Sequence, residues 1–205
     1  LRQEKMLAST LAETSETTLA DQLSLTRPSL EGAFFPATYF FLRGDNDLSI
    51  LDRAAQKMRE ELTSAWEART ADLLLKSPYE ALILASIIQK EAMLESEMPR
   101  ISGVFHNRLR LKMRLQTDPT AIYGLGPNFK GPLKRSHLKK DTPYNTYTRN
   151  GLPPGPISLP GRAALLAAVN PLETEDLYFM AKGDGSHKFS KTLKEHNRAV
   201  KKYRQ

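Results

Sequence analysis

The 205-residue chain has no cysteine. That excludes disulfides, thiolate catalysis and cysteine-ligated metal sites, but fixes no compartment. Histidine is scarce, with four in all. His187 and His196 have no carboxylate cluster around them in the sequence, so loop hydrogen bonding is expected of them, and neither a metal nor a cofactor. No apolar run approaches the roughly 18 residues of a membrane-spanning helix, and no signal-peptide pattern opens the sequence. Internal repeats and low-complexity tracts are absent as well. Acidic residues are outnumbered, 23 against 30 Lys and Arg, for a formal net charge of +7. The excess gathers between Arg108 and Arg114 and between Lys130 and Lys140. Such a surface is either a solvated basic face or an attraction for anionic polymers or membranes. No nucleic-acid-binding motif accompanies it, so specific nucleic-acid recognition is not expected.

What is present suits one ordinary domain, with 40% hydrophobic and 26% charged residues. Hydrophobic periodicity predicts a long amphipathic helix from Asp45 to Arg69, with Leu51, Ala54, Ala55, Met58, Leu62 and Trp66 inward. Further helices are expected over Pro78–Leu94, about Pro99–Lys112, Pro119–Gly124, Pro160–Asn170 and Leu193–Arg204. Leu177–Ala181 and Lys188–Ser190 read as a hairpin around Lys182-Gly183-Asp184-Gly185-Ser186. The Pro- and Gly-rich stretch between Gly126 and Gly161 is longer than ordinary loops, and long loops that persist are often functional. Residues 1–30 are polar, with weak helical spacing at Met6, Leu7, Leu11 and Leu19. They read as a helical arm or domain junction before a domain over 31–205. The fold class is α+β: mostly helical, with a small hairpin and a long loop region.

The residue with the most chemistry in its surroundings is Glu91. Ser77 is a good N-cap for its helix, Pro78 suits the first position, and Glu80 completes a capping box. At about 100° per residue, Leu84, Ile87 and Ile88 share the face of Glu91, while Leu82, Ala85 and Met93 cover much of the other side. A carboxylate there is costly unless paired or lining a cavity. Desolvation raises its pKa, as a general acid near neutral pH requires. The plainer alternative is a glutamate in a fraying last turn that reaches water or a lysine. Glu95, one turn on, reads as a solvated residue past the helix end. Asp118 could cap the next helix. Gln89 lies about 160° around the helix from Glu91, too far to share a site.

Behind that helix come Asn107-Arg108-Leu109, Met113-Arg114-Leu115-Gln116-Thr117-Asp118-Pro119-Thr120, Tyr144-Asn145-Thr146-Tyr147 and Gly151-Leu152-Pro153-Pro154-Gly155-Pro156-Ile157. Asn170-Pro171, Leu177-Tyr178-Phe179, His187-Lys188-Phe189 and His196-Asn197 follow. In this order the blocks resemble the catalytic domain of the endolytic murein transglycosylases, the YceG-like or MltG family, from about Glu31 to the C-terminus. Two positions depart from the family pattern. Ala37 stands where an acidic residue is usual in Glu31-Gly32-Ala33-Phe34-Phe35-Pro36-Ala37-Thr38-Tyr39. Gln89 replaces a frequent glutamate, which singles out Glu91 as the catalytic position. The aromatic segment itself reads as core packing, with a glycan-stacking wall as the alternative.

The resemblance implies a peptidoglycan lytic transglycosylase, a carbon–oxygen lyase that cuts the MurNAc–GlcNAc bond within nascent strands and leaves 1,6-anhydroMurNAc ends. Glu91 would be its acid and then its base. Gln116, Thr117, Asp118, Tyr144, Asn145 and Tyr147 would line the substrate cleft. No metal or cofactor is implied. Expected partners are peptidoglycan strands and peptidoglycan synthases. The natural protein is expected to be longer, with an N-terminal single-pass anchor in the bacterial cytoplasmic membrane and the catalytic domain on the periplasmic side. A non-catalytic peptidoglycan- or synthase-binding module is the alternative, and the intact Glu91 argues against it.

Overall fold

A computed structural model describes residues 7–11, 13–25 and 29–203. The helices are α1 (Glu16–Gln22), α2 (Asp47–Glu67), α3 (Pro78–Glu91), α4 (Met98–Arg110), α5 (Asp118–Leu125), α6 (Arg135–Lys139), α7 (Arg162–Val169) and α8 (Leu193–Tyr203). A 3-10 turn, Glu95–Glu97, joins α3 to α4. Strands β1 (Tyr178–Ala181) and β2 (His187–Ser190) pair antiparallel, with Phe179 opposite Phe189. The α+β class expected from the sequence is therefore observed.

The core is organised around α3. The Ser77 hydroxyl accepts the Glu80 N–H at 3.2 Å, and Pro78 starts the helix. Glu80 turns back to the Lys76 N–H at 2.7 Å, one residue short of the usual capping box. Every residue from Ala81 to Ile88 is buried. Burying a side chain such as Leu82, Leu84, Ile87 or Ile88 is worth roughly 1.5–3 kcal/mol, so this helix is fixed by packing on all sides. Helices α2, α4, α5 and α7 surround it. Small residues let α7 come close: Ala164, Ala167 and Ala168 are buried with Leu165 and Val169. The Gly161 N–H at the start of α7 donates to Gln89 Oε1 at 2.9 Å. The Pro- and Gly-rich loop is tied down on the same helix, since Ser86 Oγ accepts the Ile157 N–H at 3.0 Å and Ser158 Oγ donates to Ser86 O at 2.9 Å.

Helix α2 runs as its periodicity predicts, capped by Asn46 and burying Ile50, Ala54, Ala55, Met58, Leu62 and Ala65. Trp66 packs partly on the core beneath the Arg69 guanidinium, 4.5 Å from its ring. Helix α6 was not expected within the Gly126–Gly161 region. It buries no residue, so it leaves no amphipathic pattern to read. Its first turn is set by His137 Nδ1, which accepts the Lys134 N–H at 3.1 Å.

The expected N-terminal arm is helical only in α1 among the described residues; Met6 lies outside them. Leu7 and Leu11 are buried, and Ala8 bridges Asn46 in parallel. The Asp47 carboxylate accepts the Thr10 N–H (2.9 Å), the Thr10 hydroxyl (2.6 Å) and the Leu11 N–H (3.2 Å), joining this segment to the start of α2. The aromatic segment is mixed: Phe34 and Phe35 pack inward, whereas Phe40 is 85% exposed.

Candidate active site

Glu91 is the last residue of α3, where the buried helix emerges from the core. A helix C-terminus disfavours negative charge. Burial pushes the Glu91 carboxyl up to about 6, and the neighbouring charge of Asp118 adds to the rise. Thr117, His187 and Arg108 act in the opposite sense and favour the ionised form. The Thr117 hydroxyl is buried and has no well-formed hydrogen bond of its own, so it is free to lean on the carboxyl.

The segment from Leu115 to Asp118 reaches Glu91 through a strained backbone. Gln116 has φ +50°, a left-handed conformation uncommon for a side-chain-bearing residue. Such strain persists only where the surroundings hold it. Here the Gln116 N–H donates to Thr146 O at 3.2 Å and the Thr117 N–H to Thr146 Oγ1 at 3.1 Å. From the other side, the buried Arg108 guanidinium donates to Leu115 O (2.7 Å), Arg114 O (3.3 Å) and Leu177 O (2.7 Å). Asn107 beside it donates to Thr174 O and Asp176 O at 2.7 and 3.1 Å. Both side chains hold helix α4 to the segments that follow.

Asp118 occupies the first turn of α5 without capping it; Thr117 is the N-cap residue, with no side-chain cap bond. Asp118 Oδ1 instead accepts the Tyr147 hydroxyl at 2.5 Å. Burial pushes the Tyr147 phenol upward, and the hydrogen bond to Asp118 and the nearby Glu91 charge add to this. Glu91, Thr117, Asp118 and Tyr147 therefore form one group. The Gln116 side chain is exposed beside it.

Asn145 and Tyr144 are placed differently. Asn145 is 1% exposed, and its amide donates to Leu138 O and Lys140 O at 3.1 and 2.7 Å. Its Oδ1 accepts the Tyr147 N–H at 2.9 Å, so it braces the loop that presents Tyr147. Tyr144 packs against Tyr123, ring centroids 4.7 Å apart, and its hydroxyl lies over Gly155. Tyr79 and Glu31 complete that second cluster, in which burial first and Glu31 next push the Tyr123 phenol up to about 12. Glu95 is exposed, as expected. His196 stacks on Tyr178, ring centroids 5.1 Å apart.

Three contributions to the site were not read from the sequence. Thr146 joins the two polar blocks, its hydroxyl also 2.7 Å from Thr120 Oγ1. Arg108 brings a buried cation toward Glu91; the only sequence signal was its place in the Asn107-Arg108-Leu109 block. His187 pairs with Glu97, Nδ1 to Oε2 at 2.7 Å. Among the described residues no group of His, Asp or Glu could hold a metal ion.

This constellation can be set beside known proteins. The YceG-like family model matches residues 2–202. The chain belongs to the YceG-like family. An endolytic murein transglycosylase of Bacillus subtilis (strain 168) is 41% identical over 174 residues, which are 85% of this chain and 48% of that protein. An endolytic murein transglycosylase of Streptococcus pneumoniae is 30% identical over 179 residues, 85% of this chain and 32% of that one. The chain thus spans half or less of the length of these curated relatives. The crystal structure of a yceG-like protein from Listeria monocytogenes is also similar, with a TM-score of 0.71 and 39% identity. That match covers 88% of this chain and 59% of the other. At Gln89 the structure needs only an acceptor for the Gly161 N–H, which a glutamate would supply as well.

Proposed function

We propose that this chain is the catalytic part of an endolytic lytic transglycosylase acting on peptidoglycan. The observation that carries the reading is the placement of Glu91 at the end of a buried helix, grouped with Thr117, Asp118 and Tyr147, where burial pushes its carboxyl up to about 6. Names of relatives at 41% and 30% identity support the same reading.

In this mechanism the protonated Glu91 donates to the glycosidic oxygen between MurNAc and GlcNAc. The C1–O bond breaks, and the substrate's acetamido group stabilises the oxocarbenium-like centre. Glu91, now a carboxylate, takes the proton of the C6 hydroxyl of the same MurNAc. That oxygen bonds to C1 and closes the 1,6-anhydro ring. Glu91 regains its proton, and water is not consumed. One carboxyl therefore acts as acid and then as base, for which a pKa near neutrality is the compromise. Asp118, bound to Tyr147, raises the Glu91 pKa as a like charge should, and the pair shapes the wall beside the reacting sugar. We assign the exposed Gln116 to the same wall, and the buried Thr117, expected at the cleft surface, to the Glu91 carboxyl instead. We assign Asn145 to bracing the loop, and Tyr144 to a more distant part of the substrate surface.

The whole protein is proposed to sit at the cytoplasmic membrane through a preceding single-pass anchor, with this domain outside, acting on nascent strands alongside peptidoglycan synthases. Among the described residues no helix is long and apolar enough to cross a membrane. A hydrolase using Asp118 as its second carboxylate is the competing reading, since Asp118 lies close enough to perturb Glu91. The products separate the two: a transglycosylase leaves anhydro ends, a hydrolase reducing ends.

A further inference from the structure

Stretches far apart in the sequence meet at a place to which the mechanism above gives no step. The Tyr123 ring, in α5, packs on Tyr144 with centroids 4.7 Å apart. A Cβ on the buried Gly155 would lie 3.0 Å from the Tyr144 hydroxyl and 3.3 Å from that of Tyr79, so both hydroxyls converge over this glycine. Gly32, at φ +73°, leans so closely on Pro156 that a Cβ there would sit 2.7 Å from it, which brings Glu31 alongside. All three tyrosines pack on the core and are only partly buried. A buried phenol hydroxyl ordinarily finds a partner. The Tyr144 hydroxyl makes no hydrogen bond to another described residue, and it is not sealed from solvent.

We propose that Tyr79, Tyr123 and Tyr144 form a distal glycan subsite, which holds a sugar of the same strand away from the bond cut at Glu91. The identity of the strand rests on the transglycosylase reading; the subsite itself rests on the geometry. Two helices set the distance. Helix α5 begins at Asp118, in the Glu91 group, and Tyr123 stands about 7.5 Å along its axis. Helix α3 packs on α5 and runs from Tyr79 near its start to Glu91 at its end, about 18 Å. Tyr147, which bonds Asp118, lies in the same loop as Tyr144. The tyrosines therefore flank the Glu91 group on the side of the α3 N-terminus, at a separation on the scale of a few sugar residues. A partly exposed tyrosine offers an apolar ring and a polar tip. A sugar ring, with its C–H faces and hydroxyl rim, matches both. Binding at a distance from the cut bond holds an internal stretch of strand as firmly as an end, and that remote contact can position the reacting sugar at Glu91.

The test is isothermal titration calorimetry in the Glu91→Gln background, where no strand is cut. It compares long peptidoglycan strands stripped of their peptide stems with the stem-free disaccharide, and reads the ratio of the two affinities. Tyr144→Phe deletes one unbonded hydroxyl and should lower that ratio about 3- to 10-fold, the contribution of one neutral hydrogen bond. Gly155→Ala, whose Cβ would push the same hydroxyl aside, should lower it in the same sense. An unchanged ratio in both variants overturns the proposal. So does an equal loss for the two ligands, which marks a purely structural tyrosine. Strands that gain affinity from length only when their stems are kept place a peptide there and overturn it too. In the active enzyme Tyr144→Phe should raise KM for long strands far more than it lowers kcat; a fall in kcat at constant KM contradicts the subsite. If the wild-type chain yields no anhydro ends while the length-dependent binding persists, the transglycosylase reading falls and the subsite stands.

Discussion

At the residue scale, the site turns on a carboxyl that its surroundings keep from ionising early. Burial raises Glu91 to about 6. The unfolded chain releases this proton near the ordinary glutamate value, about 4.3. Between those two values the folded state holds more proton than the unfolded one, so stability falls as pH rises. Below the lower value the effect vanishes; above about pH 6 the full penalty remains. A rise of that size corresponds to roughly 2 kcal/mol. Glu91→Gln removes the charge and should therefore be more stable than wild type by about 1–2 kcal/mol at pH 7.5 and nearly equal to it at pH 4. Urea unfolding at the two pH values checks this. The same ionisation should make cleavage fall off above about pH 6 in kcat/KM, since the first step needs the acid form. Tyr147→Phe keeps the ring but frees Asp118. It should slow cleavage by about 10- to 100-fold with little loss of stability, as expected where a hydrogen bond orients a site group; kcat together with a thermal melt measures both.

At the scale of elements, packing set by small residues and single hydrogen bonds decides where the site lies. A Cβ on Gly103 in α4 would come within 2.4 Å of Leu172 O, a backbone atom that cannot swing aside. Gly103→Ala should cost about 2–3 kcal/mol, read from a chemical denaturation midpoint, because α4 would have to back away from the segment it packs on. Gln89→Glu should fold normally and lose no more than about 1 kcal/mol, because a carboxylate accepts the Gly161 N–H and suits the N-terminus of α7. A melting curve beside wild type tests that. The helices α2, α3, α4, α5, α7 and α8 were legible in the sequence and lie within a few residues of where periodicity, caps and breakers put them. Helix α6 was not, because a short helix with no buried side chain has no period to detect. Asp118 read as a cap, yet its side chain goes to Tyr147, a partner 29 positions away that no local rule reveals. Asn145 was expected at the cleft because it is polar and lies in a distinctive block. Its burial against Leu138 O and Lys140 O follows from how the loop folds back on α6. Glu97 and His187, 90 positions apart, meet only through the hairpin.

At the scale of the molecule, a central buried helix delivers its last residue to a surface assembled from four later segments. Arg108, Thr146 and the Ser86 contacts hold those segments in register, so the site is a property of the whole domain. The N-terminal segment joins that body through Asp47, whose carboxyl is held down at about 2: burial opposes its charge, but hydrogen bonds from Thr10, Leu11 and Leu48 outweigh this. A lowered carboxyl stabilises above its unfolded value of about 3.9 and loses that contribution as pH falls toward its folded value. Asp47→Ala should therefore cost about 2 kcal/mol at pH 7, and less below pH 3, in the same urea experiment. The net charge of +7 suits a partner that carries carboxylates or phosphates. The most direct test of the central claim is mass spectrometry of peptidoglycan strands incubated with this chain, beside Glu91→Gln. The expected result is 1,6-anhydroMurNAc ends with the wild type and none with the variant. Reducing ends, or anhydro ends undiminished in Glu91→Gln, would contradict it.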